Sequence, residues 1–516
     1  MSNRRLWLCF ALLLLVSCTK RALLFGVGPG PIAMDAIEYW RIAGDVAAGD
    51  WLQRTGGIDY RTPLYPTFVA LHRRWLGDHS LVALVFSQHV LLLGANLITA
   101  WVCWRVSRSR WVGLLAFGFA EMSLLRDWAA NVVLTEALFT FLLTAAIAAL
   151  VMYHQRPSLG GAAAAAVLLG LAILVRPVPQ WLGLPLVGLF FFHCSRWAVR
   201  RRAPRTIVRH ALAAAAILAL LLAPWCVRNW AVFGKPFLSR LPAVNKWQVC
   251  FQGASAARLP IPPGSAGERL RALVGTADGD LADRYCYAVV SALQSKGMSK
   301  EEIDALVSDV CLQAICRHPL QFAWPALKRF VNFWRCTAND PPYIHCRGVP
   351  DFAGQRTWQW VTDTSWFRKL LAQSPAHWLR WNEFYTVLVG SGTLLMIVRR
   401  RTRAAGLSLA AVFAYFAAVT AGVEIENYRY RMVLEPATIV VVVCGFAGVW
   451  EGSRSRGGGR QAQVGRVKAE LPWDAERLLA GQPQAKRTPR REFSFPRCSA
   501  DPRRTPKIPT ESGSRG

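Results

Sequence analysis

Apolar residues arrive along this chain mostly in blocks of about 17 to 25, the length at which a helix crosses about 30 Å of hydrocarbon. The blocks run roughly Leu6–Val27, Leu81–Trp104, Trp111–Leu125, Leu134–Tyr153, Ala162–Val175, Gln180–Phe192, Ile207–Trp225, Phe384–Val398, Leu407–Val423 and Leu434–Trp450. The third, fifth and sixth are shorter, and Arg176-Pro177 between the last two of these reads either as a kink or as a loop. The pattern predicts an all-α integral membrane fold of about ten transmembrane helices. Interfacial helices are expected in the first outer loop, and a small, mostly helical segment in the second.

Polar stretches between the blocks alternate in charge. One set holds Arg105, Arg108 and Arg110, then Arg156, then Arg196 to Arg209, then Arg399 to Arg403. With Arg4 and Arg5 these mark the cytoplasmic side, and an even number of spans puts both termini there. The other set has two long loops, about Gly28–Ser80 and Asn229–Glu383. This divides the chain into a membrane module at 1–228 with about seven spans and a functional first outer loop at 28–80. A periplasmic, interfacial helical segment follows at 229–383, then C-terminal spans at 384–450 and a disordered basic tail at 451–516. The expected location is a bacterial inner membrane, multi-pass. Leu15-Val16-Ser17-Cys18 resembles a lipoprotein cleavage box, but a first span with snorkelling Lys20 and Arg21 explains the same residues and is preferred. In the second long loop, Ser299-Lys300-Glu301-Glu302 reads as a capping box opening a helix toward Ile315. His318-Pro319 ends that helix, and Pro319–Arg335 carries an apolar stripe suited to a membrane interface.

Composition agrees. Charged residues are 18% of the chain, against about 25% in soluble domains. Many of the 22 Trp flank the apolar blocks, as an aromatic belt would. The net charge of +30 is read as basic loops and tail facing anionic lipid, not as a nucleic-acid surface. None of the 13 cysteines forms a CxxC pair or a zinc spacing. Six of them, Cys250, Cys286, Cys311, Cys316, Cys336 and Cys346, lie in the second long loop, where disulfides and free buried thiols both stay open.

Ionisable groups near hydrocarbon are costly, so their positions carry information. Asp35, Glu38 and Tyr39 share a helical face just after the first span. Asp59-Tyr60-Arg61-Thr62-Pro63-Leu64-Tyr65-Pro66 follows in the same loop, with its prolines holding Arg61. Thr135-Glu136 opens the fourth span, with Arg126 and Asp127 upstream. Glu424, Glu426, Tyr428, Arg429, Tyr430 and Arg431 precede the last span, and Arg228 at the end of the seventh adds a cation. Taken singly, each is an ordinary interface charge. Jointly, two acids and several arginines at one membrane depth suit a reaction between a membrane-bound phosphate ester and a polar acceptor.

The order of these motifs resembles a known superfamily. An Asp-containing first loop ends in Arg-x-Pro-Leu-Tyr-Pro, and Thr-Glu-Ala-Leu-Phe opens a span. Val-Arg-Pro, Pro-Trp-x-x-Arg-Asn-Trp and Tyr-Arg-Tyr-Arg-x-x-x-Glu-Pro follow. Together they look like the GT-C glycosyltransferases, in the branch of bacterial protein O-mannosyltransferases and aminoarabinose transferase-like proteins, over about Met1 to Trp450. The resemblance implies a polyprenyl-phosphate sugar donor and an acceptor protein, lipid or glycan, joined on the periplasmic face by inverting displacement. It makes Asp35 and Glu136 the catalytic carboxylates. It makes Arg61, Arg429 and Arg431 phosphate ligands, with Glu38, Tyr39, Tyr65 and Arg228 as further substrate-binding candidates. Ala36 stands where relatives pair a second acid with the first, so a divalent cation held by Asp35 and Glu136 stays an open question. Rival readings are a lipid-linked sugar flippase or transporter, and a periplasmic polysaccharide polymerase or ligase. Asp278-Gly279-Asp280 has the spacing of a metal-diphosphate motif but sits in a Gly-rich stretch that reads as a turn. No P-loop or HExxH occurs.

Overall fold

The computed structural model describes residues 3–335, 383–423 and 428–457, apart from 27, 31, 33–34, 56–58, 184–185, 187–203, 253–255 and 276–280. The chain divides into two units, Met1–Ser453 and Arg454–Gly516. Among the described residues there is no strand. Nine of the ten apolar blocks coincide with helices there: Asn3–Gly26, Ser80–Ser107, Arg110–Glu121, Glu136–Gln155, Leu159–Val175, Pro204–Phe233, Glu383–Val398, Arg403–Val423 and Glu435–Gly457. Most of the Gln180–Phe192 block lies outside the described residues, as do Asp278-Gly279-Asp280, Cys336, Cys346, Glu424, Glu426 and the tail beyond Gly457. Among the described residues, five helices are long and apolar enough to cross a membrane: Arg4–Gly26, Leu64–Ser107, Glu136–Gln155, Arg205–Phe233 and Arg403–Val423. Leu159–Val175, Phe384–Val398 and Glu435–Gly448 are shorter apolar helices. The protein is an all-α integral membrane protein.

Buried polar residues in the Ser80–Ser107 span are held by hydrogen bonds to the backbone. Within Ser80–Ser107, the Gln88 side chain donates to the carbonyls of Ala130 (2.8 Å) and Val132 (2.9 Å), and Thr99 donates to Ala95 O at 2.8 Å. Buried without such bonds, these groups would each cost on the order of 1–3 kcal/mol. Ser80–Ser107 packs on Arg110–Glu121 and Glu136–Gln155, and Leu159–Val175 packs between Glu136–Gln155 and Pro204–Phe233. Where Glu383–Val398 crosses Glu435–Gly457, glycine is required. A Cβ on Gly445 would stand 2.5 Å from Gly392 O, and one on Gly392 would stand 2.5 Å from Val441 O. Backbones can approach this closely only through small residues.

Two local expectations change. The third block does not run to Leu125: its helix ends at Glu121 and resumes as a short turn, Leu124–Trp128. Glu121 is drawn into bonds with Lys20, Arg21 and Asn96. For the same reason Lys20 and Arg21 do not snorkel. Their charged ends are turned inward to acids on other helices. The Arg176-Pro177 step is a true break. The helix stops at Val175, Arg176 is extended, and Val178–Trp181 forms a 3-10 turn.

The second long loop holds helices Ala243–Cys250, Ser265–Val274, Cys286–Ser295 and Lys300–Arg317 around their own core of Trp247, Phe251, Leu270, Val289 and Val310. The capping box is formed, with Ser299 Oγ accepting from Glu302 N at 3.3 Å and Glu302 Oε2 accepting from Ser299 N at 2.8 Å. Pro319–Arg335 then lies on the Arg403–Val423 helix. Arg329 Nε donates to Ala421 O at 2.7 Å, a cation at the end of that helix where the dipole favours one. Leu320, Trp324, Leu327 and Val331 form an exposed stripe on the Pro319–Arg335 helix.

Candidate active site

Two helix N-termini carry the acids. Asp35 and Glu38 lie in the first turn of Asp35–Ala47, and Glu136 opens Glu136–Gln155. Carboxylates are favoured there by the unpaired amides and the helix dipole. Three chain breaks supply the bases. Arg61 comes from the loop before the Leu64–Leu76 helix, Arg176 from the break after Val175, and Arg429 from the short helix Tyr428–Met432.

These six charges meet. Asp35 Oδ1 accepts from Arg61 Nη2 at 2.8 Å, and Asp35 Oδ2 accepts from Arg429 Nη1 at 3.0 Å. Arg429 Nε donates to Glu136 Oε1 at 2.8 Å, so one guanidinium bridges two carboxylates 101 residues apart in sequence. Arg176 Nη1 lies 3.5 Å from the same Glu136 oxygen, and its guanidinium stacks 4.6 Å over the Tyr430 ring. Arg61 Nε donates to Glu38 Oε2 at 2.7 Å and Nη1 to Tyr39 Oη at 3.0 Å. The rings of Tyr39 (4.6 Å) and Tyr60 (5.2 Å) flank that guanidinium, and the Tyr60 hydroxyl donates to Glu38.

The cluster is graded in depth. The Asp35 side chain is 35% exposed, whereas Glu136 is 2% exposed. Asp35 is therefore the outer acid of the cluster and Glu136 the inner one, with Arg429 between them. Burial opposes ionisation of Asp35, but the Arg61 and Arg429 guanidiniums outweigh it and hold the carboxyl well below its ordinary value. Burial and the hydrogen bond to Glu38 push the Tyr60 hydroxyl up, so it stays a neutral donor.

A divalent cation is not accommodated by this arrangement. Both Asp35 oxygens accept from arginines, and Arg429 occupies the space between Asp35 and Glu136. A hard cation shared by the two acids would have to displace a guanidinium from Asp35 and the Arg429 side chain that spans them. Among the described residues no three His, Cys, Asp or Glu side chains are placed to share a metal.

Three expected members lie elsewhere. Tyr65 is buried beneath the site. Its hydroxyl donates to Gln88 Oε1 at 3.1 Å and its ring meets Tyr39 edge-on at 5.0 Å. Arg228 donates to the Leu52 carbonyl at 2.8 Å and to the Gln53 carbonyl, bracing the first loop from behind. Arg431, two residues past Arg429 on a helical turn, points to a different side and stands 5.6 Å over the Tyr385 ring. Arg176 and Tyr60 join the set without having been assigned a role from sequence. The available signals were an arginine ending an apolar block before proline, and a tyrosine next to Arg61. Asp59 faces away from the cluster. It holds Lys300 at 2.5 Å and Arg240 at 3.7 Å, and Lys300 stands 4.5 Å over Tyr60. The second loop's helical module thus braces the loop that carries Arg61.

No family model matches the chain, and no curated protein matches it. Among solved structures it is similar to an archaeal oligosaccharyltransferase, AglB from Archaeoglobus fulgidus in complex with an inhibitory peptide and a dolichol-phosphate. That alignment has 12% identity and a TM-score of 0.45 and covers 93% of this chain and 54% of the other. A second Archaeoglobus fulgidus oligosaccharyltransferase structure, tethered to an acceptor peptide, aligns at 12% identity and a TM-score of 0.46 over 87% of this chain and 50% of that one. The chain spans about half the length of these two. ArnT from Cupriavidus metallidurans bound to undecaprenyl phosphate aligns at 13% identity and a TM-score of 0.36, covering 86% of this chain and 78% of the other. Likeness at this level bears on neither activity nor substrate.

Proposed function

We propose that this protein is a membrane glycosyltransferase that moves a sugar from a polyprenyl-phosphate donor to a hydroxyl acceptor on the extracytoplasmic face. The observation that carries the reading is a half-exposed carboxylate, Asp35, gripped by two arginines at the end of a bundle of apolar helices. Its motifs resemble those of GT-C glycosyltransferases. The side is supported by charge. Arg105, Arg108, Arg110, Arg156 and Arg403 fall at the helix ends opposite to the cluster, as basic residues do on the cytoplasmic side.

In this reading Arg61 and Arg429 take the donor phosphate by charge-assisted bonds. Doing so loosens their hold on Asp35. The freed carboxylate regains an ordinary basicity at the moment an acceptor hydroxyl needs a base. The hydroxyl oxygen attacks the anomeric carbon as the bond from that carbon to the phosphate oxygen breaks. The proton goes to Asp35 and the electron pair to the leaving polyprenyl phosphate, whose added charge falls on the two guanidiniums. One displacement inverts the anomeric centre. Glu136, the inner acid, keeps Arg429 and Arg176 aligned, and Glu38 with Tyr39 does the same for Arg61.

The test is incubation of purified protein with radiolabelled polyprenyl-phosphate sugars and hydroxyl acceptors of protein, lipid and glycan type. Transfer that disappears in Asp35→Asn, while the variant inserts and purifies normally, is the expected result. Full transfer by that variant, or none by the native protein with any donor, overturns the reading.

A further inference from the structure

A second charged cluster lies outside the site, at the end of the first span. Lys20 Nζ is 2.8 Å from Glu121 and bonds to Asp127, and Arg21 Nη2 is 3.2 Å from each of the same two acids. Arg126 is 3.8 Å from Asp127 and 3.8 Å from Glu435. Asn96 links the halves, donating to Glu121 at 2.6 Å and accepting from Arg126 at 2.7 Å. Asp127 and Arg126 are fully buried. Three cations and three carboxylates balance, so the group is neutral as a whole. Charges withdrawn from water this far stay put only while every partner is present.

Beside it sits Asn131, also fully buried. Its amide donates to Leu24 O at 2.7 Å and to Gly28 O at 2.9 Å, and its Oδ1 accepts from His89 at 2.7 Å. Its backbone carbonyl accepts from Gly30 N at 2.6 Å.

All three stretches that lead to Asp35, Glu136 and Arg429 are tied here. Residues 28–30 run into Asp35, 126–131 run into Glu136, and Glu435 follows Arg429. We propose that Asp127 and Asn131 are positioning residues. Without touching substrate, they fix Asp35, Glu136 and Arg429 relative to one another, so that the two-arginine phosphate seat is assembled before a ligand arrives. The seat itself rests on the function proposed above.

The probe is undecaprenyl phosphate, titrated against protein in nanodiscs. Asp127→Asn and, as an uncharged second variant, Asn131→Ala should each weaken binding about tenfold, as loss of one coupled interaction does. In an Arg429→Ala background the same changes should cost little, because they act through Arg429. Equal losses in both backgrounds, or none in either, overturn the proposal. A second readout needs no ligand. In either variant the backbone amides of 28–30, 129–136 and 428–434 should exchange with deuterium faster, while Glu136–Gln155 beyond its first turn stays protected. Unchanged exchange in those three stretches also overturns it. If native protein does not bind the probe, the proposed function fails, and the exchange measurement alone judges the positioning role.

Discussion

At the scale of single residues, the site is a set of paired charges. Asp35 is held ionised by Arg61 and Arg429, so its carboxyl titrates below the usual range. The sign follows directly. A group whose folded value is depressed adds stability above its unfolded value, near 3.8, and loses it as pH falls through the folded value. The melting difference between native protein and Asp35→Asn should therefore stay constant from pH 8 to 5 and shrink below about pH 4. A difference that vanishes between pH 7 and 5 would contradict the pairing. Arg429→Lys keeps the charge but cannot span Asp35 and Glu136 with separate nitrogens in one plane. Transfer should fall on the order of 100-fold, comparable to losing one preorganised donor, in a steady-state assay. Asp35, Glu38, Tyr39 and Arg61 were legible because one loop and one helical face hold them. Arg429 was legible only through its motif. The roles of Arg176 and of Lys20 with Arg21 were not, since their partners lie 40 or about 100 residues away and no local rule links them.

At the scale of elements, periodicity and caps read well. The Ser299 box places the start of its helix, and His318-Pro319 separates two helices as expected. Ser299→Ala should cost about 1 kcal/mol in chemical denaturation of the protein, the usual worth of such a cap. What misled was the end of the third block, where apolar residues continue past Glu121 but the helix ends there and the Glu121 carboxylate is bonded by Lys20, Arg21 and Asn96. Crossings are likewise silent in a single sequence until glycines meet. Gly445→Leu would drive a side chain into Gly392, and overpacking of this kind costs about 1–3 kcal/mol. A thermal midpoint lower by several degrees, with Gly422→Leu unchanged as a control in open space, is the expected outcome.

At the scale of the whole molecule, hydropathy anticipated most helices and the loop arginines suggested a side. Cysteines introduced at Arg108, Arg156 and Arg400 should react with an impermeant maleimide only after the cytoplasmic face is opened, and one at the exposed Arg41 should react in intact cells. A reversed pattern would place the Asp35 cluster in the cytosol.

The three acids in the pocket have a last consequence. Because Glu38, Glu136 and Asp35 already neutralise Arg61, Arg176 and Arg429, an arriving phosphate competes with tethered anions at high effective concentration. If the proposed donor is a polyprenyl phosphate, the resting cluster thus discounts its own affinity for the spent lipid. In the proposed reaction the carboxylates then reclaim their guanidiniums and evict the carrier, so a site that could have become a trap for its by-product resets itself between turnovers.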